Sequence, residues 1–196
     1  MAPQKRREQL IDAALSVIVE QGYEGVSIEA IARTAGVTRP VIYDHFTNLG
    51  ELLQALIERE EACALAQLAR VVPEDPGTSE PADLFAAGVR RFLDAVASRP
   101  ATWRIILLPL EGTPAIVRHH VETNRERTLA RIELLVHWAL ERAEIPPQFD
   151  VELSARAIRS LAEEAGRMVL TDAESFSPAR YERFVRAVVS LILPPS

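Results

Sequence analysis

The stretch Gly36–Phe46, GVTRPVIYDHF, carries side chains whose types and spacing suit reading a nucleic-acid duplex. Arg39 presents two parallel N–H donors, the geometry that matches guanine O6 and N7. Pro40 and Val41 offer apolar contact to a thymine methyl group. The hydroxyls of Thr38 and Tyr43 and a ring nitrogen of His45 can donate to phosphate oxygens, contacts that set register rather than sequence preference. Asp44 would repel phosphate and is expected to point aside. Around this stretch, Lys5, Arg6 and Arg7 form a basic run suited to a phosphate-contacting arm, Arg33 precedes the turn, and Ser27 and Asn48 stand where flanking helices begin.

Other chemistries find little support. His119 and His120 are adjacent, so on a helix they diverge by about 100°, and with His137 they make no i,i+4 pair of the kind that holds zinc. No metal site is expected, and no Ser-His-Asp or Cys-His grouping marks a nucleophile, so no catalytic residue and no enzyme activity are expected. Glu163 and Glu164 are neighbours that face different ways on a helix. Glu163 is assigned inward, toward a ligand. Cys63 is the single cysteine, which leaves no intrachain disulfide and fits a reducing compartment.

At 196 residues the chain is long enough to bury a substantial core, and its 48% hydrophobic content is that of a globular protein. The net charge of −6 argues against indiscriminate polyanion binding, though not against a local basic footprint. No charge-free apolar run approaches the roughly 20 residues of a membrane helix. KRR followed by AALSVIV resembles a leader, but Glu8 and Asp12 interrupt it, so a soluble helix and a cytoplasmic protein are expected.

The pattern is helix after helix, giving an all-α fold. A helix over 5–21 carries Leu10, Ala14, Val17 and Ile18 on one side at a period near 3.6, and Gly22 can close it. Ser27 caps a helix over 28–34, Gly36 supplies a turn, and Thr38 caps a short helix with Pro40 in its first turn. Asn48 caps a long connector to about Val72. Beyond the loop at 73–81, helices are expected near 82–98, 101–108, 114–144, 150–171 and 178–193, broken at Pro100, Pro109, Pro146 and Pro178. Two short helices about a tight Gly turn make a helix-turn-helix, with Ile28, Ile31, Ala32, Val37, Ile42 and Phe46 facing inward.

From about Arg7 to Leu53 the chain resembles the DNA-binding domain of the TetR family of transcriptional repressors. The matching residues are Ala13-Ala14, Gly22-Tyr23, SIEAIARTAGVTRPVIYDHF over 27–46, and Leu52-Leu53. The resemblance implies a DNA-binding domain over 1–47 joined to a helical ligand-binding and dimerisation domain over 48–196. It also implies a homodimer, a double-stranded operator, an unidentified small-molecule effector that releases DNA, and DNA contacts at Arg39, Pro40, Tyr43 and His45. Many family members carry a phosphate-contacting lysine just after the motif. Here that place holds Leu49, so one ionic contact fewer and a shallower salt dependence are expected. Over residues 1–50, Lys5, Arg6, Arg7, Arg33 and Arg39 face six acids, Glu8, Asp12, Glu20, Glu24, Glu29 and Asp44. A reading face therefore requires those acids to lie on the far side. A helical adaptor that keeps the fold without DNA binding is the alternative.

In the second body, Phe85, Val89 and Phe92 share one helix face, and Trp103, with Leu107 one turn on, shares another. Asn124 and Trp138, with Arg131 between them, share a side of the long helix. With Glu163 these are the candidate ligand residues, in a site that would be mostly apolar. Ala155, Ala162 and Gly166 are small enough for close helix approach, and with Phe184 and Val188 they are the candidate dimer contacts.

Overall fold

The computed structural model describes residues 2–69, 71, 77–108, 115–144 and 149–193, with backbone alone at 116, 117, 120, 121 and 124. Among the described residues the structure is helical, without strands. The helices are α1 (Pro3–Gln21), α2 (Ile28–Ala35), α3 (Arg39–Tyr43), α4 (Leu49–Leu68), α5 (Pro81–Ser98), α6 (Pro100–Leu107), α7 (Ala115–Arg142), α8 (Val151–Thr171) and α9 (Pro178–Ile192). Their ends follow local chemistry. Pro3, Pro81 and Pro178 occupy first turns, where no intrahelical N–H is lost. Side-chain oxygens of Ser27 and Asp150 accept from the backbone N–H groups of Ala30 and Leu153. Pro109, Pro146 and the acidic stretch 72–76 lie outside the described residues.

Two compact units are present: Met1–Ala64 with Ala101–Glu122, and Leu65–Pro100 with Thr123–Ser196. The expected division after residue 47 does not coincide with this one. Residues 49–64 of α4 belong to the first unit, where Leu52, Leu53, Leu56 and Ile57 bury among α1, α2 and α3. In that cluster Leu10, Ala14 and Ile18 from α1 meet Ile31 of α2, Ile42 of α3 and Phe46. The small pair Ala13-Ala14 lets the helices approach closely, and Ala32 does the same on α2.

Two polar features sit in this unit. The Tyr23 ring is buried, and its hydroxyl is a buried atom without a hydrogen-bond partner. Burial pushes its phenol up to about 12. The folded value lies above the ordinary tyrosine value near 10, so the neutral phenol is fully accommodated below that pH, and stability falls as pH climbs toward 12. An unpaired buried hydroxyl costs more than the hydrogen bond it forgoes. Tyr23→Phe is therefore expected to raise the unfolding free energy by about 1 kcal/mol, read from the urea midpoint of the full chain; a loss of stability instead would mean the hydroxyl has a partner in solution.

The other feature is a carboxylate in the interior. Glu60 of α4 is 3% exposed. It accepts from the Thr102 hydroxyl on α6 and from Arg59 on its own helix, 2.7 Å away. Arg59 also reaches Glu8 at 3.1 Å and Asp12 at 2.7 Å on α1. Burial alone would lower the Arg59 pKa, but hydrogen bonds to Asp12, Glu60 and Glu8 outweigh it and the net shift is upward.

The second unit is built on α5, α7, α8 and α9. Leu129, Ile132 and Val136 of α7 pack on Ala155 of α8, with Phe85, Leu140, Val151 and Ile158 at the margin. Helix α5 lies along α9, tied by Arg90 to Glu182 at 3.2 Å and by Arg186 to Asp83. Arg142 joins the end of α7 to Glu80 just before α5, at 3.3 Å.

Candidate nucleic-acid interface

The turn between α2 and α3 is set by one residue. Gly36 sits at φ 65°, ψ 36°, the left-handed region where an L side chain is strained. That conformation lets the Gly36 N–H donate to the Arg33 carbonyl at 3.2 Å and the Val37 N–H to the Ala32 carbonyl at 3.0 Å. This is the paired closure of a Schellman motif, with Ala32 and Val37 as its apolar contact. A relay from α1 reinforces it: Arg6 donates to the Gln9 side chain at 2.8 Å, and Gln9 donates to the Ala35 carbonyl at 2.8 Å.

Helix α3 is held from beneath by Ile42 and Phe46, both essentially inaccessible. What remains outward is the face expected from the sequence. Thr38, Arg39, Pro40, Tyr43 and Asp44 are exposed, while Val41 and His45 are half-buried at its edges. Thr38 occupies the N-cap position, yet its hydroxyl makes no capping hydrogen bond. Arg33 is exposed in the last turn of α2. At the following helix, the Asn48 side-chain Oδ1 accepts from the Glu51 N–H at 3.0 Å, and the Glu51 carboxylate accepts from the Thr47 N–H at 2.7 Å. The bonds from Thr47 hold the Glu51 carboxyl below its ordinary value, with the Arg7 charge adding a smaller push. Ser27 spends its oxygen on the α2 cap. Leu49, where the family resemblance leads a lysine to be expected, packs against the first unit's core.

Two expectations need correction. Lys5, Arg6 and Arg7 are not an arm. They lie within α1, because Pro3 starts that helix ahead of them. Lys5 is exposed and Arg6 serves the Gln9 relay. The Arg7 guanidinium lies 4.2 Å from the centroid of the Phe46 ring. The acids, moreover, do not all lie on the far side. Glu8 and Asp12 are neutralised by Arg59, but Glu29 on α2 pairs with Arg39 at 2.8 Å, on the reading face itself. The approach of Glu29 to Arg39 depends on the angle between two helices, which the sequence does not show. Gln9, missed in the sequence, carries no one-dimensional signal beyond its place on the α1 side nearest the turn.

The family model for bacterial regulatory proteins of the tetR family matches residues 10–56, which span α2, the turn and α3. The HTH-type transcriptional regulator SrpR of Pseudomonas putida is 29% identical over 160 residues, 81% of this chain and 72% of that protein. A TetR-like transcriptional regulator from Rhodococcus sp. RHA1 superposes with a TM-score of 0.71 at 23% identity, covering 95% of this chain and 96% of that one. Residues 10–56 carry the tetR-family domain. The proteins that the chain matches are regulators of transcription and not enzymes. The all-helical TetR fold extends over the whole chain: the FadR regulator of Bacillus subtilis, solved in complex with stearoyl-CoA, gives a TM-score of 0.70 at 20% identity over 93% of this chain and 96% of that one. At such identities the structural likeness carries the fold alone.

The candidate ligand residues divide between the units. Trp103 and Leu107 are buried in the first. Phe85, Val89, Phe92, Trp138 and Glu163 belong to the second, where Phe92 is buried and Phe85 edges the α7–α8 cluster. Glu163 pairs with Arg125 at 3.2 Å, so its inward carboxylate already has a cation. The side chain of Asn124 lies outside the described residues. Among the candidate dimer contacts, Ala155 and Gly166 are buried inside their own chain, Ala155 against α7. Their small size serves internal packing and is not offered at the surface. Ala162 and Val188 are half-buried, and Phe184 is exposed. Leu153 and Leu161 on α8 and Leu191 on α9, missed in the sequence, are 64%, 71% and 86% exposed. No described helix is long and apolar enough to cross a membrane.

Proposed function

We propose that this chain is a ligand-responsive repressor that binds a near-palindromic operator as a homodimer and leaves it when a small-molecule effector binds. The observation that carries the reading is the outward face of α3, with Arg39, Pro40 and Tyr43 presented on a helix fixed by Gly36 and anchored by Ile42 and Phe46. Residues 1–47 would supply the DNA contacts and residues 48–196 the effector and dimer functions, in the cytoplasm.

The dimer reading rests on α8 and α9. Leu153, Ala157 and Leu161 recur at four-residue steps on α8, and Phe184 and Leu191 stand seven apart on α9, all exposed. Large apolar side chains left bare along two neighbouring helices are what a self-complementary interface uses. Two-fold pairing would set two α3 helices about 34–36 Å apart, one helical turn of DNA. The effector is expected to be a molecule with an apolar portion, in keeping with Phe85, Val89 and Phe92 and with the acyl-CoA bound by B. subtilis FadR. Its effect would be a population shift toward a dimer whose reading helices are wrongly spaced.

The test is selection of random double-stranded DNA by the purified full-length protein over a salt series. A near-palindrome whose affinity falls with salt is expected, shallower than in relatives with the lysine that Leu49 replaces. Arg39→Ala should cost about 1–3 kcal/mol on the selected operator and relax one base pair per half-site. No selected motif, with binding indifferent to salt, would turn the reading toward the adaptor.

A further inference from the structure

A carboxylate on a DNA-reading face is unfavourable unless it does something there, because each phosphate repels it. Glu29 is in that position. It stands in the first turn of α2, its Oε1 lies 2.8 Å from Arg39 Nη1, and both side chains are more than half exposed. The pair brings little stability at that exposure, since open surface ion pairs contribute at most about 1 kcal/mol. Its consequence is geometric. An unrestrained arginine on a short helix samples many rotamers, and every one it abandons on binding subtracts from affinity. The ion pair with Glu29 narrows the positions the guanidinium samples and draws its Nη1 side toward α2, leaving the edge containing Nη2 directed elsewhere. Arg39 is the first residue of α3 and the only basic residue of that helix, so its rotamer determines whether a bidentate contact to one base can form.

Resting on the DNA-reading assignment above, we propose that Glu29 is a positioning residue that holds Arg39 for bidentate recognition of a guanine, exchanging some affinity for any DNA for discrimination at one base pair per half-site. A merely structural acid would not produce that exchange. Removing it would lower binding to all sequences together, through loss of the fold. Removing a positioning carboxylate instead weakens discrimination, while binding to random DNA strengthens because a negative charge beside the phosphates is gone.

The experiment is the selection assay with the full-length protein, comparing wild type, Glu29→Ala, Glu29→Gln and Arg39→Ala at fixed salt. Titrations follow on the selected operator, on single-base variants of it, and on random duplex. For Glu29→Ala, discrimination at the base pair that Arg39→Ala abolishes should fall by about tenfold, within the range one bidentate contact supplies, while affinity for random duplex rises. Glu29→Gln, which keeps the size and an oxygen able to accept from Nη1 but loses the charge, should keep more of the discrimination than Glu29→Ala. Unchanged base preference in Glu29→Ala would overturn the inference, as would unchanged preference in Arg39→Ala, since nothing would then remain to position. Neither result touches the DNA-reading assignment, which fails separately if the wild-type protein selects no motif.

Discussion

Replacing Phe46 by alanine is expected to lower the unfolding free energy of the first unit by about 3–5 kcal/mol, the range for emptying a fully buried aromatic site. The ring is 1% exposed and meets side chains of α1, α2, α3 and α4 in a single cluster. It has a second load. The Arg7 guanidinium stacks on it at 4.2 Å, and one Arg7 nitrogen, Nη1, is buried without a hydrogen-bond partner. The ring face is what compensates that cation for its lost water. Alanine would leave a hole and strip the Arg7 cation of its ring contact; leucine would fill most of the hole but still remove the π face. Phe46→Leu should therefore cost about 1–2 kcal/mol, more than its volume change alone predicts, and Phe46→Ala at least twice as much. Urea unfolding followed by far-UV circular dichroism gives both values. A loss under about 1 kcal/mol for the alanine variant would mean that the ring is not a core anchor. Because the same ring fixes the far end of α3, operator affinity in Phe46→Ala should fall along with stability.

That anchor was legible before any coordinates, and the reasons are local. Ser27, Gly36, Asn48 and Asp150 announce helix ends because a cap needs a particular side chain at a particular place, whatever the rest of the fold does. The inward set of the helix-turn-helix follows from periodicity on helices of eight and five residues, too short to offer a second apolar face. On long helices the same pattern is ambiguous. Small residues on α8 are compatible with an interface to another copy or with a seam inside the chain, and Ala155 is in the seam. The exposed Leu153 and Leu161 belong to the same 3.6-residue rhythm, so period alone does not separate the two sides.

Charges were the least legible of all. KRR reads as an arm until Pro3 is seen to start the helix before it. Glu29, on α2, is separated from its partner on α3 by the turn, and the pair exists only because that turn has the geometry Gly36 permits. Glu60 is the extreme case. It occurs in the run Glu58–Arg59–Glu60–Glu61, which reads as a solvated helix face, yet it is one of two buried polar or charged side chains among the described residues, the other being its partner Thr102.

The buried carboxylate makes Arg59→Met the second large effect. All three guanidinium nitrogens are engaged: Nε and Nη2 on Glu60, and Nη1 on both Glu8 and Asp12. The methionine fills similar volume, so packing is largely kept and the electrostatic loss is isolated. Removing one partner of a buried pair leaves the other charge without compensation, at about 3–5 kcal/mol when both are fully buried. Arg59 retains 27% exposure, and Thr102 still donates to Glu60, so about 2–3 kcal/mol is expected here. Glu60→Gln on its own should cost less than about 1 kcal/mol, since an amide oxygen still accepts from Thr102 and the desolvated charge is gone. The cycle then has a definite sign. Arg59→Met with Glu60→Gln should be more stable than Arg59→Met alone by about 1–2 kcal/mol, a coupling that additive surface substitutions do not show. If the two changes simply add, Glu60 is not held by Arg59, and the link between α4 and α1 rests on Glu8 and Asp12 instead.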